Sequence, residues 1–290
     1  MDKRNGIVSM EFKEKLLASH LAFEGGIDLS DPVHQTRLES LKTFEQKGFP
    51  SRKDEAWKYT SLNAMIRNDF ALFPETETTI EIKKVKKYFL YEIDTYKVVF
   101  IDGAYSPFLS DTTHDGLDVC LMSAALSKAK YRKFIDSYFN KIANIKDSLT
   151  ALNTSYTKEG AYIYVPKSVV AEKPIELIHF STGRDKPLWL QPRNLIVVDK
   201  NAQVQILERH QSLKPHEVVT NSVTEIFTHQ DAFLDYYKIQ NDFSTASLID
   251  NTYISQQKNS NVSMHTFSLG GKLTRNNLNF YLKGNNANAT

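Results

Sequence analysis

The eight histidines of this 290-residue chain are the first residues to consider for metal chemistry, because neutral imidazole is the commonest metal ligand in proteins. There is no HExxH pair, and the single cysteine, Cys120, has no partner at zinc-binding spacing. His210 and His216 are close in sequence, but a nearby proline predicts a solvated loop for both. His229, beside a turn, and His265, at an outward strand position, are interpreted as surface residues. We therefore assign no metal ligand, cofactor ligand or catalytic residue.

Three acidic residues, Glu225, Asp235 and Asp250, indicate a second kind of chemistry. A glycosidase needs two carboxylates about 5 to 9.5 Å apart, and neighbouring coils of a β-helix could bring such a pair together. Isolated acids on the outer face of a strand are more often solubilising residues. A β-helix enzyme that cleaves polysaccharide, as a lyase or a hydrolase, is therefore kept as an alternative function.

Two further motifs do not support nucleotide or nucleophilic chemistry. Gly270-Gly271-Lys272 lacks the glycine spacing of a phosphate-binding loop, and Leu273 stands where Ser or Thr would bind magnesium, so a tight turn is predicted. Cys120 has no neighbouring histidine or basic residue to lower its pKa, which favours a buried structural thiol.

One segment, residues 49–60, concentrates three aromatic and five charged residues directly after a predicted helix end. From its physical chemistry it is an amphipathic turn, in which Trp57 and Tyr59 dock onto the helical region and the charges stay solvated. If both rings were exposed together, they would instead form a docking surface, and the chain would be a partner-binding module.

A recurring turn-and-strand phrase builds the last third of the chain. It begins at Asn201, Asp231, Asn261 and Asn286, and each start is followed by alternating apolar and polar residues. Two strand-like runs per repeat of about 25 to 30 residues, with no helix between them, predict a parallel β-helix. An antiparallel sandwich of hairpins is the alternative, because local pattern alone does not exclude it.

The same alternation predicts which side chains face the core and where the β-helix starts. Ala202, Val204 and Ile206 share one parity, and the run 160–165 is an earlier, looser copy. The pattern therefore begins before residue 165.

The first half of the chain has mainly helical patterns. A helix is predicted from an Asp31 cap to Gly48, an earlier one through residues 12–21, and the clearest one over residues 131–142. Residues 98–101 followed by Asp102-Gly103 predict a short strand and turn. We thus divide the chain into a mainly helical domain, residues 1–150, and a parallel β-helix, residues 151–290, which is incomplete at its end.

Composition narrows the class of protein further. A net charge of +2 gives no electrostatic reason to expect nucleic-acid binding. No run approaches the ~18 apolar residues of a membrane span, and the start of the sequence has no signal-peptide pattern. With one cysteine, the chain fits a reducing compartment, and a cytoplasmic location is expected.

The segment 49–60 resembles an N-terminal signature of the SufB/SufD family of iron–sulfur cluster assembly components, and is closer to SufD than to its paralogue SufB. Further matches follow in the same order from about residue 49 to the end, among them residues 100–103, 151–154, 192–196, 223–226, 236–240 and 268–276. The combination is specific for the family.

This resemblance implies a helical N-terminal domain followed by a right-handed parallel β-helix. It also implies a scaffold subunit that is not an enzyme by itself. In the family, SufD pairs with SufB, each binds the ATPase SufC, and the complex carries an iron–sulfur cluster transiently. SufB and SufC are therefore the implied partners, with no nucleic acid or membrane.

The resemblance also implies a C-terminal helical domain, with the cluster-associated histidine and the SufC-docking segment, that residues 1–290 do not match. No ligand is therefore transferred to this chain, and we expect a form that lacks the C-terminal part. An open solenoid end exposes an unpaired strand edge, so we expect this form to pair with itself as a homodimer.

Overall fold

The computed structural model describes residues 3–63, 65–73, 82–111 and 113–290. Most of the helices precede the long strands. The helices are α1 (Lys3–Glu24), α2 (His34–Lys47), α3 (Ile82–Lys86), α4 (Met122–Ser127), α5 (Arg132–Tyr138) and α6 (Ser148–Ser155). The strands are β1 (Tyr96–Ile101), β2 (Ala104–Tyr105), β3 (Asp118–Leu121), β4 (Ala161–Val165), β5 (Ile175–Ser181), β6 (Leu188–Leu190), β7 (Arg193–Val198), β8 (Gln203–Ser212), β9 (Val218–Thr228), β10 (Phe233–Asn241), β11 (Ala246–Gln256), β12 (Asn261–Ser268), β13 (Leu273–Leu282) and β14 (Asn288–Ala289).

Two stacked sheets form a solenoid. The first sheet has the order β2, β1, β5, β8, β10, β12, β14, and the second has the order β3, β4, β7, β9, β11, β13, with β6 beside β9. From β7 onward the chain alternates between the sheets, and strands of successive coils pair in parallel. The predicted parallel β-helix is confirmed, and the antiparallel sandwich is wrong, because its hairpins would pair antiparallel.

The core of the solenoid lies between the sheets and follows the predicted alternation. Val204, Leu234 and Val262 are direct neighbours on three successive strands, and all three are buried. Residues 161, 163 and 165 of the early copy join the same core. Burial of such an aliphatic side chain contributes about 1.5 to 3 kcal/mol, so the ladder drives the stacking.

The turns between coils use residues with positive φ, as predicted from their side chains. Asn201, Asp231 and Asn286 have φ near +58°, a conformation that Asn and Asp adopt more easily than other residues. In the third turn the positive φ lies at Asn259, and Asn261 is already the first residue of β12. The predicted start at Asn261 was therefore wrong by two residues, although Val262 faces inward as expected.

All helices except α3 cover the outer face of the second sheet, and Val85 of α3 packs on β1 and β5 of the first sheet. Side chains of α1, α2 and α6 pack around Trp189, Val219 and Ile249 of strands β6, β9 and β11. Helices α4 and α5 pack on Tyr162 and Leu195 of β4 and β7. The predicted helices at 12–21 and before Gly48 are both present. The predicted Asp31 cap is wrong, because α2 begins at His34 with Val33 at its N-cap, and the Asp31 carboxylate accepts from the Val33 amide before the helix starts.

The helix predicted over residues 131–142 is shorter in the structure than its apolar pattern predicts. After a 3₁₀ turn, α5 ends at Tyr138, and Asn140 has a φ of +57°. The backbone amides of Asn140, Ile142 and Ala143 donate to the carboxylate of Glu225 on β9. A tertiary contact thus replaces the helical hydrogen bonds that the periodicity predicted.

Strands β1 to β3 come from the part of the chain that was predicted to be mainly helical. β1 pairs in parallel with β5, so the first sheet begins at residue 96. The predicted strand and Asp102-Gly103 turn are confirmed, with φ of +48° and +83° at the two turn residues. Both sheets therefore extend across the predicted division at residue 150, which stays a prediction about domain organisation.

Candidate functional site

A cluster of buried polar side chains interrupts the apolar interior of the solenoid. On β8 the inward positions after Val204 and Ile206 are Glu208 and His210, and on β10 the position after Tyr236 is Lys238. Parallel register places Glu208 directly beside Lys238. His179 on β5 lies beside His210 in the same way. The stacking of three coils therefore gathers these side chains in one place.

Lys238 is the centre of an ion-pair network that joins the two sheets. Its ammonium pairs with Asp250 of β11 and lies 3.2 Å from Oε2 of Glu208. It also donates to the Thr252 hydroxyl at 2.7 Å, and the Tyr236 hydroxyl donates to Glu208 at 2.8 Å. All five side chains are buried. Such buried charges are tolerated because the ammonium lies between two carboxyl groups that also accept hydrogen bonds.

The electrostatics keep this network ionised. Burial favours the neutral amine, but the carboxylates of Asp250 and Glu208 raise the pKa of Lys238 above its ordinary value. Burial likewise opposes ionisation of Glu208, yet the Lys238 ammonium brings the pKa of that carboxyl well below its usual range. Two carboxylates thus share one ammonium, which leaves an excess of negative charge in the interior.

The two histidines complete the cluster. The ring of His179 stacks between Phe100 and His210, with ring centroids 5.0 and 4.8 Å apart. Nε2 of His179 lies 3.8 Å from Oε1 of Glu208, and Nε2 of His210 lies 3.5 Å from it. Burial lowers the pKa of His179 to about 3, so its ring is neutral at physiological pH. Among the described residues, none of the three atoms makes a hydrogen bond of good geometry, and the contact of His210 with Glu208 at 3.5 Å is long for one.

A small cavity lies against the histidines at the edge where the two sheets approach. Its volume is about 20 Å³, enough for a single water molecule or ion. Beside His179 and His210, its polar lining residues are Ser181, Thr220, Asp242 and Ser247. The cluster therefore opens on one side toward a space that could hold a small polar or charged species.

His210 lies in the middle of this cluster, so its prediction as a solvated loop residue was wrong. The strand β8 continues to Ser212 and so includes His210. Because the side chain faces inward, it is only 6% exposed. His216 does lie in the loop between β8 and β9. His229 is half-buried, and its Nε2 lies 2.8 Å from the Tyr138 hydroxyl of α5. His265 is exposed on β12, as predicted, and stacks on Tyr237.

The three acids considered for glycoside cleavage lie in separate surroundings. Glu225 lies on the outer face of β9, where the loop after α5 and Arg193 occupy its carboxylate. Asp235 is on the outer face of β10 in the other sheet, and Asp250 points into the interior toward Lys238. No two of these carboxylates face a common cleft, so the geometry gives no support to the polysaccharide enzyme.

The Gly270-Gly271-Lys272 motif and Cys120 have structural roles, as predicted. Gly270 and Gly271 form the turn between β12 and β13, with a φ of +93° at Gly271. Lys272 then pairs with Glu217. Burial raises the pKa of Cys120 to about 11, so its thiol is protonated, as a structural cysteine requires.

The aromatic segment 49–60 divides between the interior and the surface. Trp57 is buried, with the Arg275 guanidinium of β13 4.2 Å from its ring centroid. Tyr59 is 89% exposed. The two rings do not form a joint exposed surface, so Trp57 has a structural role that joins the N-terminal region to the solenoid.

Sequence reasoning missed the polar cluster, although a signal for it was present. Glu208 and His210 continue the parity of Val204 and Ile206, and Lys238 continues that of Leu234. Polar residues at inward positions of a buried strand require partners. The alternation, continued past Ile206, therefore predicts a buried polar cluster.

Two protein-family models match this chain and together span most of it. A family model for the SufBD protein N-terminal region matches residues 27–177. A second model, for the SufBD core domain of the SUF system of FeS cluster assembly, matches residues 179–290.

Individual relatives share about a quarter of their residues with this chain. An iron–sulfur cluster assembly SufBD family protein, slr0076 of Synechocystis, is 27% identical over 79% of this chain and 52% of its own length. The SufD proteins of Escherichia coli and Bacillus subtilis are each 23% identical, over 92% and 71% of this chain and 60% and 47% of their own lengths. The chain thus spans about half the length of these relatives.

Proposed function

The chain belongs to the SufB/SufD family of iron–sulfur cluster assembly proteins, and on that premise we propose that it acts as a SufD-like scaffold subunit. The observation that carries the proposal is the match of both family models, which together span residues 27–177 and 179–290. The first range contains helices α2 to α6 together with the first strands of both sheets, and the second contains the remaining coils of the solenoid.

The proposed partners are a SufB subunit and the ATPase SufC, and the proposed cargo is an iron–sulfur cluster that the complex carries transiently. In this proposal the chain is not a catalyst by itself and works in the cytoplasm. Within the residues that the structure describes, no helix has the length and apolar character needed to cross a membrane.

The scaffold is favoured over an enzyme by the chemistry of the surface. Asp235, the one acid of the three candidates on an exposed strand face, accepts from Gln205 at 3.4 Å, its one hydrogen-bond partner among the described residues. A general acid or nucleophile needs a second positioned group within reach. A subunit that acts through partner proteins needs no such pair.

The proposal is tested by co-expressing the tagged chain with SufB and SufC from one organism and purifying through the tag. We expect SufB to co-purify with the chain in a stable complex, and SufC to join that complex. A chimaera, in which the remainder of the E. coli SufD sequence follows residue 290, serves as a second form of the chain.

Full-length E. coli SufD with its own SufB and SufC is the positive control. If neither the chain nor the chimaera retained SufB, although circular dichroism showed both to be folded, the assignment as a SufD-like subunit would be wrong.

A further inference from the structure

Three buried polar atoms without hydrogen-bond partners converge on one point inside the solenoid. They are Nε2 of His179, Oε1 of Glu208 and Nε2 of His210, and one ligand atom from each of these residues lies within 4.8 Å of the others. Each such atom costs about 1 to 3 kcal/mol when it is removed from water without a partner. Three of them from three positions on two adjacent strands therefore indicate a shared ligand.

The chemistry of the three atoms defines that ligand as a cation. A carboxylate oxygen accepts hydrogen bonds and does not donate, and the neutral ring of His179 offers a lone pair when its other nitrogen carries the proton. Glu208 and Asp250 share the single ammonium of Lys238, so a bound cation offsets the remaining negative charge. The Asp242 carboxylate at the cavity adds to this attraction.

Lys238 does not occupy the position of the cation. Its ammonium contacts Oε2 of Glu208 and is held from the other side by Asp250 and Thr252. Oε1 of the same carboxylate is left toward the histidines. Glu208 is thereby fixed by one oxygen and free at the other, as a carboxylate ligand is when a neighbouring group orients it.

We propose that His179, Glu208 and His210 bind one divalent first-row transition metal ion. Two imidazoles and one carboxylate suit zinc and ferrous iron. Metal–ligand bonds of about 2.0 to 2.2 Å place ligand atoms about 3 to 3.5 Å apart, so the rings need to approach by about 1 Å. The cavity beside the rings supplies the remaining coordination position and the path of entry.

This site goes beyond the proposed scaffold function and departs from the sequence-based expectation that no residue of the chain holds a metal. All of its proposed ligands are side chains in the interior of this chain, and no partner protein contributes one. Metal binding is measured on the isolated chain, without SufB or SufC, so the two proposals can fail separately.

The test uses the 290-residue chain after chelator treatment. Zinc is titrated in by calorimetry, and cobalt(II) by absorption spectroscopy as a probe of the ligand set. We expect one equivalent of each metal to bind, with visible cobalt bands of a site that contains nitrogen ligands. Ferrous iron under anaerobic conditions is expected to compete with cobalt.

Two variants, His179→Phe and His210→Phe, keep an aromatic ring in the stack beside Phe100 and remove one nitrogen each. Each is expected to weaken zinc binding at least about 100-fold. His265→Ala is the matched control, because this histidine is exposed on β12, and its zinc affinity is expected to equal that of the unchanged chain. Thermal unfolding in metal-free buffer checks that each variant folds.

Glu208→Gln keeps the shape of the side chain and serves if a phenylalanine variant does not fold, with the same loss expected. The proposal is overturned if the unchanged chain binds none of the three metals. It is equally overturned if the folded His179, His210 and Glu208 variants bind zinc as tightly as the unchanged chain does.

Discussion

Two buried carboxylates, Glu225 on the outer face of β9 and Glu208 in the interior of the solenoid, differ in how many of their oxygens accept hydrogen bonds. Glu225 lies between β9 and the helical cover, where both of its oxygens accept hydrogen bonds from Arg193 and from three backbone amides. Glu208 lies between the sheets, where Tyr236 and Lys238 contact one oxygen and, within the described part of the chain, no group makes a hydrogen bond of good geometry to the other.

Glu225 is therefore a structural carboxylate, whereas Glu208 has one oxygen that is available to a ligand. A fully bonded buried carboxylate holds a loop to a strand, and any substitution removes existing bonds. A half-bonded one keeps an unsatisfied oxygen inside a protein, which is a cost to stability with no structural return. Proteins commonly accept such a cost where the group binds something.

The largest expected effect tests the charge network inside the solenoid. Lys238→Met leaves Glu208 and Asp250 buried without a cation, and we expect it to lower the free energy of unfolding by about 4 kcal/mol. Urea denaturation measures this loss. Lys272→Met is the control, because its partly exposed pair with Glu217 is expected to contribute less than about 1 kcal/mol. Equal effects of the two changes would show that burial does not distinguish these pairs.

The next effect tests the carboxylate under the helical cover. Glu225→Gln leaves the Arg193 guanidinium buried without an anion and weakens the bonds to residues 140–143, so a loss of about 3 kcal/mol is expected. Hydrogen exchange should accelerate at the amides of Asn140, Ile142 and Ala143 more than in the solenoid strands. Unchanged protection at these amides would contradict the structural role of Glu225.

Cys120, on β3 beside the helical cover, reports on how closely that cover is packed. Because its pKa is raised to about 11, the thiolate fraction at pH 8 should be about 100-fold lower than that of a free cysteine. Iodoacetamide should therefore react correspondingly slowly, with a rate that rises about tenfold per pH unit up to about pH 11. Urea should restore ordinary reactivity, and a fast reaction in the native protein would show that the cover opens.

A smaller effect of opposite sign is expected at the unsatisfied cluster. His179→Phe removes a buried nitrogen without a partner and keeps the stack on Phe100, so the metal-free protein should gain about 1 kcal/mol of stability. Urea denaturation with a chelator present measures the gain. A loss of 2 kcal/mol or more would show that the imidazole makes a structural contribution, and the contrast with Glu225 would disappear.

The smallest effect is expected at Asp235, outside both buried regions. Asp235→Asn on the outer face of β10 should change the free energy of unfolding by less than about 0.5 kcal/mol. The same denaturation experiment measures it. A loss above 1 kcal/mol would mean that this carboxylate has a partner of more weight than Gln205.

The solenoid could be predicted from the sequence because its information is local. Each coil repeats the same inward alternation and the same turn residues, so Val204, Leu234 and Val262 are visible as core positions in a single sequence. The helix after Tyr131 was predicted too long for the opposite reason. Its end is set by Glu225, which is distant along the chain and gives no local signal.

The candidate site depends both on local sequence pattern and on contacts between distant strands, and only the local part could be predicted. The inward parity of Glu208, His210 and Lys238 lies in the sequence. Which partner each one meets depends on the register between coils and on the distance between the sheets. His179 and Asp250 belong to other strands, and nothing in their own neighbourhoods indicates that they meet this cluster.

The sequence by itself thus determined the family, the two kinds of architecture and the faces of the strands, because periodicity and turn chemistry act over a few residues. Only the tertiary structure decided which buried charges are satisfied and which are not. That distinction depends on stacking strands in register and closing two sheets on each other, and it separates the carboxylate of Glu225, which holds the fold, from that of Glu208, which has a free oxygen beside two histidines.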